Sequence, residues 1–199
     1  MLQCIVCIQR VGKVAANLTI AVLYCLAMAS FSRDRIVYSI LALSMVIGLV
    51  LQCFYWPHLP LRVATHFGAG GQPDGWMDKS SATTMQCVLQ VIMPIFFAGI
   101  GWALPLFPNS MINVPHREYW LAPQRRAGTL GTMKSMLGQF ALCLSVFVSA
   151  IGHLTFRANL TDGPLDLPSF FISMGLFFLA IAIVIGLHLW KFRLPQEVD

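Results

Sequence analysis

Four stretches of this chain are each about as long as a bilayer core is thick, and none carries a formal charge. They cover residues 36–56, 83–107, 135–156 and 167–190. A helix crosses the hydrocarbon of a bilayer in roughly 20 residues, and it satisfies its backbone hydrogen bonds internally, which irregular chain cannot do in lipid. Alternating polarity is absent from all four stretches, which argues against an outer-membrane barrel. Only 11% of the 199 residues are charged, against about 25% in an ordinary soluble domain. The expected fold class is therefore all-α: a polytopic bundle of transmembrane helices whose first partner is the lipid bilayer. Pro94 sits near the middle of the second run and removes one backbone donor there, so a kink is expected.

A fifth run, residues 14–31, is shorter and contains Asn17 and Thr19. It reads as a signal peptide, as a fifth span or as an interfacial leader. Arg10 and Lys13 precede it, and Ala27-Met28-Ala29 resembles a cleavage site. Counting basic residues in the loops separates these readings. With four spans, ten lie on one side (Arg10, Lys13, Arg33, Arg35, Arg117, Arg125, Arg126, Lys134, Lys191 and Arg193) and three on the other (Arg62, Lys79 and Arg157). With five spans, Arg10 and Lys13 change sides and the split is eight to five. Cleavage would place the loop with Arg117, Arg125 and Arg126 outside, against the positive-inside rule. Charge favours four spans and hydrophobicity favours five; an uncharged run of this length is hard to leave in water, so four strong spans plus an N-terminal fifth are expected. Either count leaves the loop after Trp56 outside and the C-terminus in the cytoplasm.

The net charge of +5 is spread between apolar runs rather than gathered in a patch. That fits membrane anchoring, and nucleic acid is not an expected partner. Trp190-Lys191-Phe192-Arg193 reads as an anchor at the inner face, with Trp190, Lys191 and Arg193 at the lipid interface. Trp120, Arg125 and Arg126 read the same way, as aromatics at the headgroup level and arginines on anionic lipid. Ser44 with Gly48, and Ser145 with Ser149, are four apart and would let helix backbones approach. Cys4 and Cys7 form a lone CxxC, and the other four cysteines sit in or beside apolar runs as small hydrophobes.

The stretch "LPLRVATHFGAGGQPDGWMDK", residues 59–79, is the polar exception. Residues 62–67 alternate, with Val63, Thr65 and Phe67 against Arg62, Ala64 and His66, so a short strand is expected. Pro73-Asp74-Gly75 reads as a turn in which glycine takes positive φ, and Asp78 or Ser80 could cap the helix beginning near Thr83. The loop is expected to form an ordered extracytoplasmic cap. Its candidate ligand-binding residues are His66, Asp74, Trp76 and Lys79, with His66 and Lys79 facing a partner and Asp74 holding the turn. Imidazole and carboxylate could also hold a metal through His58, His66, Asp74 and Asp78. The spacing is not that of a known metal motif, and turn-forming aspartate is the commoner reading, so no metal and no cofactor is expected. His153 and His188 lie near the ends of spans, where histidine can reach water.

The pattern Leu59-Pro60, His66-Phe67, Gly71, Pro73-Asp74-Gly75-Trp76 and Lys79 resembles the domain-of-unknown-function 1648 module of bacterial membrane proteins. "NVPHREYWLAP", residues 113–123, is similar to a second segment of that family. The resemblance covers roughly residues 36–135. It implies a multi-pass protein of the bacterial cytoplasmic membrane, related to immunity proteins against a secreted sporulation-delay toxin. Their second-module signature, Asn…Gly-x-Arg-Thr-Pro-Trp, does not occur in these 199 residues, so immunity and repressor signalling do not follow from the resemblance. The chain divides on this reading into 1–35, a leader or extra helix; 36–135, the family-like module; and 136–199, two spans and a short cytoplasmic tail.

No GxSxG or HExxH pattern is present, and no Ser, His and Asp set stands in a recognisable order. Two functional readings remain. One is a non-enzymatic binding, immunity or signalling protein that recognises a peptide or envelope ligand outside the cell. The other is a small transporter or membrane enzyme with a site between Pro94 and the His66 loop. The absence of charge within the four strong runs weakens ion or proton transport. Asn17-Leu18-Thr19 and Asn159-Leu160-Thr161 match a glycosylation sequence that would be idle in a bacterium. Nothing in the sequence sets the oligomeric state.

Overall fold

The computed structural model describes residues 34–194. The 14–31 run, the Cys4/Cys7 pair and the extreme C-terminus lie outside them. Among the described residues, four helices are long and apolar enough to cross a membrane. Helix α1 is Asp34–Tyr55, and a 3-10 turn at Trp56–His58 ends it. Strands β1 (Arg62–Phe67) and β2 (Pro73–Asp78) form an antiparallel hairpin. Helix α2 is Lys79–Ala103, followed by 3-10 turns and the short helix α3, Arg117–Trp120. Helix α4 is Pro123–Thr161 and α5 is Leu167–Lys191.

The four uncharged runs correspond to the four long helices, but two helices extend well past their runs. Helix α2 starts at Lys79 rather than near Thr83, because Asp78 accepts a hydrogen bond from the Ser81 N–H (2.9 Å) and so caps the polar first turn. Helix α4 starts at Pro123, twelve residues before its apolar run. Proline suits the first turn of a helix, where its missing N–H is no loss. Hydropathy marks where a helix can meet lipid, not where it ends. The division expected between residues 135 and 136 accordingly falls inside α4. Helix α2 continues through Pro94, whose ring is buried.

Helix α4 is the central element: α1, α2 and α5 all pack on it. Its length, 39 residues, is roughly 58 Å at 1.5 Å per residue, about twice the hydrocarbon thickness. Apolar packing is divided along it. Leu41, Ala141, Leu142, Cys143, Ala180 and Val184 fill the middle. Leu104, Ile112, Val114, Leu121, Leu130, Met133 and Phe192 close the end away from the hairpin. Tyr55, Leu59, Val63, Ala82 and Phe156 close the hairpin end.

A polar layer joins α1, α2 and α4. Gln90 donates to Ser145 Oγ (3.0 Å), and Ser149 Oγ donates to Gln90 Oε1 (3.1 Å). Ser44 Oγ lies 2.9 Å from Ser145 Oγ. Gln86 donates to the Val148 carbonyl (2.9 Å), and the Cys87 thiol donates to Gln52 Oε1. The small residues allow this approach. A Cβ on Gly48 would collide with the Gln90 amide and sit 2.6 Å from Ser149 Oγ. A Cβ on Gly152 would collide with the Gln86 amide. The Ser44/Gly48 and Ser145/Ser149 pairs thus form a close helix contact, and glutamine amides fill the space the small residues leave.

Candidate functional site

The hairpin sits over one end of the bundle. Its inward face is apolar: Val63 is fully buried, and Met77 packs against the same cluster. Burying a valine side chain contributes about 2 kcal/mol. Hydrogen bonds fix the rest. Lys79 N–H donates to the Leu61 carbonyl (2.9 Å), which joins the strands where α2 begins. Leu165 N–H donates to the Gly71 carbonyl (2.8 Å), which joins the hairpin tip to the α4–α5 connection. Asn159 of α4 makes the third tie. Its Oδ1 accepts from Ala64 N–H (2.6 Å), and its Nδ2 donates to the Ala64 carbonyl (2.9 Å).

Strand β1 matches the span read from the alternation. Strand β2 corrects the reading of Pro73-Asp74-Gly75 as a turn, because these residues are the start of a strand. The reversal lies earlier, at residues 68–72, where Gly68 N–H donates to Gln72 O and Gly71 N–H to Gly68 O, both at 2.8 Å. Gly71, at φ +76°, supplies the left-handed residue. Gly75 is needed for another reason. It faces His66 across the ladder, and a Cβ there would come within 2.9 Å of His66 Cβ.

Strand alternation separates the two faces of the hairpin. Arg62, His66, Asp74, Trp76 and Asp78 are all exposed. The pairings of Ala64 with Trp76 and Phe67 with Pro73 flank a local irregularity in which His66 aligns with Gly75. There His66 Nδ1 contacts Asp74 Oδ1, with both side chains more than half exposed. Asp74 therefore partners His66 rather than holding the reversal. The Arg62 guanidinium lies 5.6 Å from the Trp76 ring centre, and Lys79 Nζ lies 5.0 Å from that of Trp56. His66, Asp74 and Trp76 thus share one exposed surface, whereas Lys79 turns back toward the end of α1. Ser81 hydrogen bonds hold the Asp78 carboxyl below its ordinary pKa of 3.8. Among the described residues, no group of three or more His, Cys, Asp or Glu side chains is placed to hold a metal.

Sequence reasoning missed Asn159, which looked like an idle glycosylation sequence. His153 is not at a helix end in contact with water: it is buried, with Nδ1 2.7 Å from the Tyr55 hydroxyl. His188 Nδ1 lies 2.7 Å from the Val184 carbonyl of its own helix.

At the other end, the residues read as lipid anchors also meet protein. Arg126 donates to Asn109 Oδ1 (2.9 Å) and to the Phe107 carbonyl (3.0 Å). Arg125 donates to the Tyr119 carbonyl (2.9 Å), and its guanidinium lies 3.7 Å from the Tyr119 ring centre. Trp120 donates to the Phe192 carbonyl (2.9 Å), tying the α3 region to the C-terminal segment. Trp190, Lys191 and Arg193 are exposed there.

These features define a four-helix membrane-type bundle capped on one side by a β-hairpin. Residues 41–90 match the family model described as a domain of unknown function (DUF1648), the family that the Pro-Asp-Gly-Trp loop resembles. The match takes in α1 from Leu41 onward, the hairpin and the first half of α2, and it ends before the 113–123 segment. Comparison with curated proteins gives no match. Comparison with solved structures gives none either.

Proposed function

We propose that this chain is a non-enzymatic binding protein of the bacterial cytoplasmic membrane, and that its hairpin recognises a peptide or another envelope ligand outside the cell. One observation carries the reading. The hairpin is held at three points, by Leu61, Gly71 and Ala64, yet it leaves His66, Asp74 and Trp76 exposed on one surface. A pre-organised surface loses little ordering entropy on binding, and an exposed tryptophan beside charged groups is a common anchor. An immunity or signalling role would use such a surface, and the neighbourhood of an encoded toxin or repressor would favour it.

The orientation rests on charge. Among the described residues, Arg35, Arg117, Arg125, Arg126, Lys134, Lys191 and Arg193 lie toward the end away from the hairpin. Only Arg62, Lys79 and Arg157 lie toward the hairpin. A split of seven against three supports a hairpin outside and a C-terminus in the cytoplasm.

The test is growth of producing cells challenged with a panel of secreted and envelope-active peptides. Wild-type protein should raise the tolerated concentration of at least one peptide. Trp76→Ala and His66→Ala should abolish that protection while leaving the thermal midpoint in detergent unchanged. Protection that survives both substitutions removes the hairpin from the binding role. A solute-uptake phenotype without protection would favour the transporter alternative, whose site lies between Pro94 and the His66 loop.

A further inference from the structure

A two-stranded sheet has two outer edges, and here they differ. On β1, both backbone groups of Ala64 bond to the Asn159 side chain. They therefore point away from β2, and α4 closes that edge. Ala64 is paired with Trp76. In an antiparallel ladder, residues paired without mutual backbone bonds both turn those groups outward. The N–H and C=O of Trp76 thus lie on the opposite edge. Helix α4 packs on β1, whereas the chief neighbours of β2 are β1 and the helix that follows it. An open edge of this kind is a template for another strand.

The side chains of β2 indicate what that strand carries. Asp74, Trp76 and Asp78 alternate along the exposed face, and β2 contains no basic residue. Arg62 and His66 lie across the ladder on β1. The side chains that β2 itself contributes are therefore acidic around one exposed indole, with His66 against Asp74 and the Arg62 guanidinium 5.6 Å from the indole ring centre.

We propose that the outer edge of β2, centred on Trp76, takes up an extended cationic peptide as a third strand. Alternate basic residues of the peptide stand beside Asp74 and Asp78, and an apolar or aromatic residue packs on Trp76. This assignment rests on the reading of the hairpin as the ligand-bearing element and adds the backbone contact and the charge of the ligand.

The experiment uses the full chain in nanodiscs of neutral lipid, with empty nanodiscs as the blank. The probe is a fluorescent heptapeptide of alternating lysine and valine. Two further versions are N-methylated at one or the other set of alternate backbone amides, and a fourth has glutamate for lysine. The lysine peptide should bind, and the glutamate peptide should not. One methylated version should bind about tenfold more weakly, because it loses strand hydrogen bonds, while the other is unaffected. Asp74→Asn and Asp78→Asn should each weaken binding up to about fivefold, and asparagine at 78 can still cap α2. Hydrogen exchange at the Trp76 amide should slow on binding.

Failure of the lysine peptide to bind, equal binding by both methylated versions, or protection away from β2 would overturn the edge assignment. Each of these results, combined with hairpin-dependent protection of cells, would remove only the strand-addition mode. Loss of hairpin dependence in cells would remove the broader reading.

Discussion

At the scale of single residues, the hairpin depends on a few side chains whose roles differ from their sequence signatures. Asn159 replaces the strand that β1 lacks on its outer edge. Asn159→Ala removes two hydrogen bonds to Ala64, each contributing roughly 0.5–1.5 kcal/mol. The expected result is a loss of about 1–3 kcal/mol, with faster exchange at the Ala64 amide than in the helices. Unchanged exchange would show that the clamp adds nothing. The two glycines of the hairpin separate by cause. At Gly71, alanine meets both a left-handed φ and the Leu165 carbonyl, 2.9 Å from the added carbon. At Gly75, alanine meets only the His66 side chain. Gly71→Ala should therefore lower the thermal midpoint more than Gly75→Ala, the reverse of what the Pro-Asp-Gly signature suggests. Asp78 gives a pH test. Its folded pKa is depressed, so its stabilisation is complete above the unfolded value and lost as pH falls through the folded one. Wild type should be more stable than Asp78→Asn near neutrality, because a carboxylate also favours a helix N-terminus. That gap should narrow below about pH 4, as followed by thermal midpoints across pH.

At the scale of elements, the contact among α1, α2 and α4 is built from small residues and glutamines, and its parts should couple. Gly48→Ala drives a methyl group into the Gln90 amide and Ser149 Oγ, so it should be strongly destabilising. Gln90→Ala should cost less, since interhelical hydrogen bonds in membranes average about 0.6 kcal/mol. The double variant should be more stable than the sum of the two losses, because truncating Gln90 makes room for the methyl group. Additive losses in a denaturation assay in mixed micelles would mean that this close approach does not limit the packing. The sequence displays these elements unevenly, for physical reasons. Charge-free length is enough to show a membrane helix, and strict alternation shows β1. The Ser44/Gly48 spacing also shows a close helix contact. Gln86, Gln90 and Pro94 lie four residues apart on one face of α2, a spacing that could have revealed the polar layer but is diluted in an average over an apolar run. Strand β2 was hidden because Pro-Asp-Gly is locally a good turn and only pairing with β1 makes it extended. The Asn159 clamp could not be read at all, since its partner is a backbone 95 residues away.

At the scale of the molecule, function depends on which side of the membrane holds the hairpin. With four spans after residue 34, both ends of the described chain lie on the side opposite the hairpin. The packing agrees with this, since the Trp120 indole reaches Phe192 at one end while Leu165 reaches Gly71 at the other. The proposed orientation puts the hairpin outside, because basic loops tend to be retained in the cytoplasm. Ser80, one residue into α2, and Ser110, between α2 and α3, are both exposed and lie at opposite ends. Single cysteines at these positions, in a chain whose six natural cysteines are replaced, should respond differently to a membrane-impermeant thiol reagent. Ser80→Cys should label in intact cells, and Ser110→Cys only after permeabilisation. The opposite pattern would place the hairpin in the cytoplasm, where no secreted peptide could reach the open edge of β2. An N-terminal tag, read beside Ser110→Cys, tests the number of spans. If residues 14–31 form a fifth span, a tag at the N-terminus reports outside while Ser110→Cys stays inside. A tag that reports inside leaves four spans and the wider charge difference of ten basic residues to three.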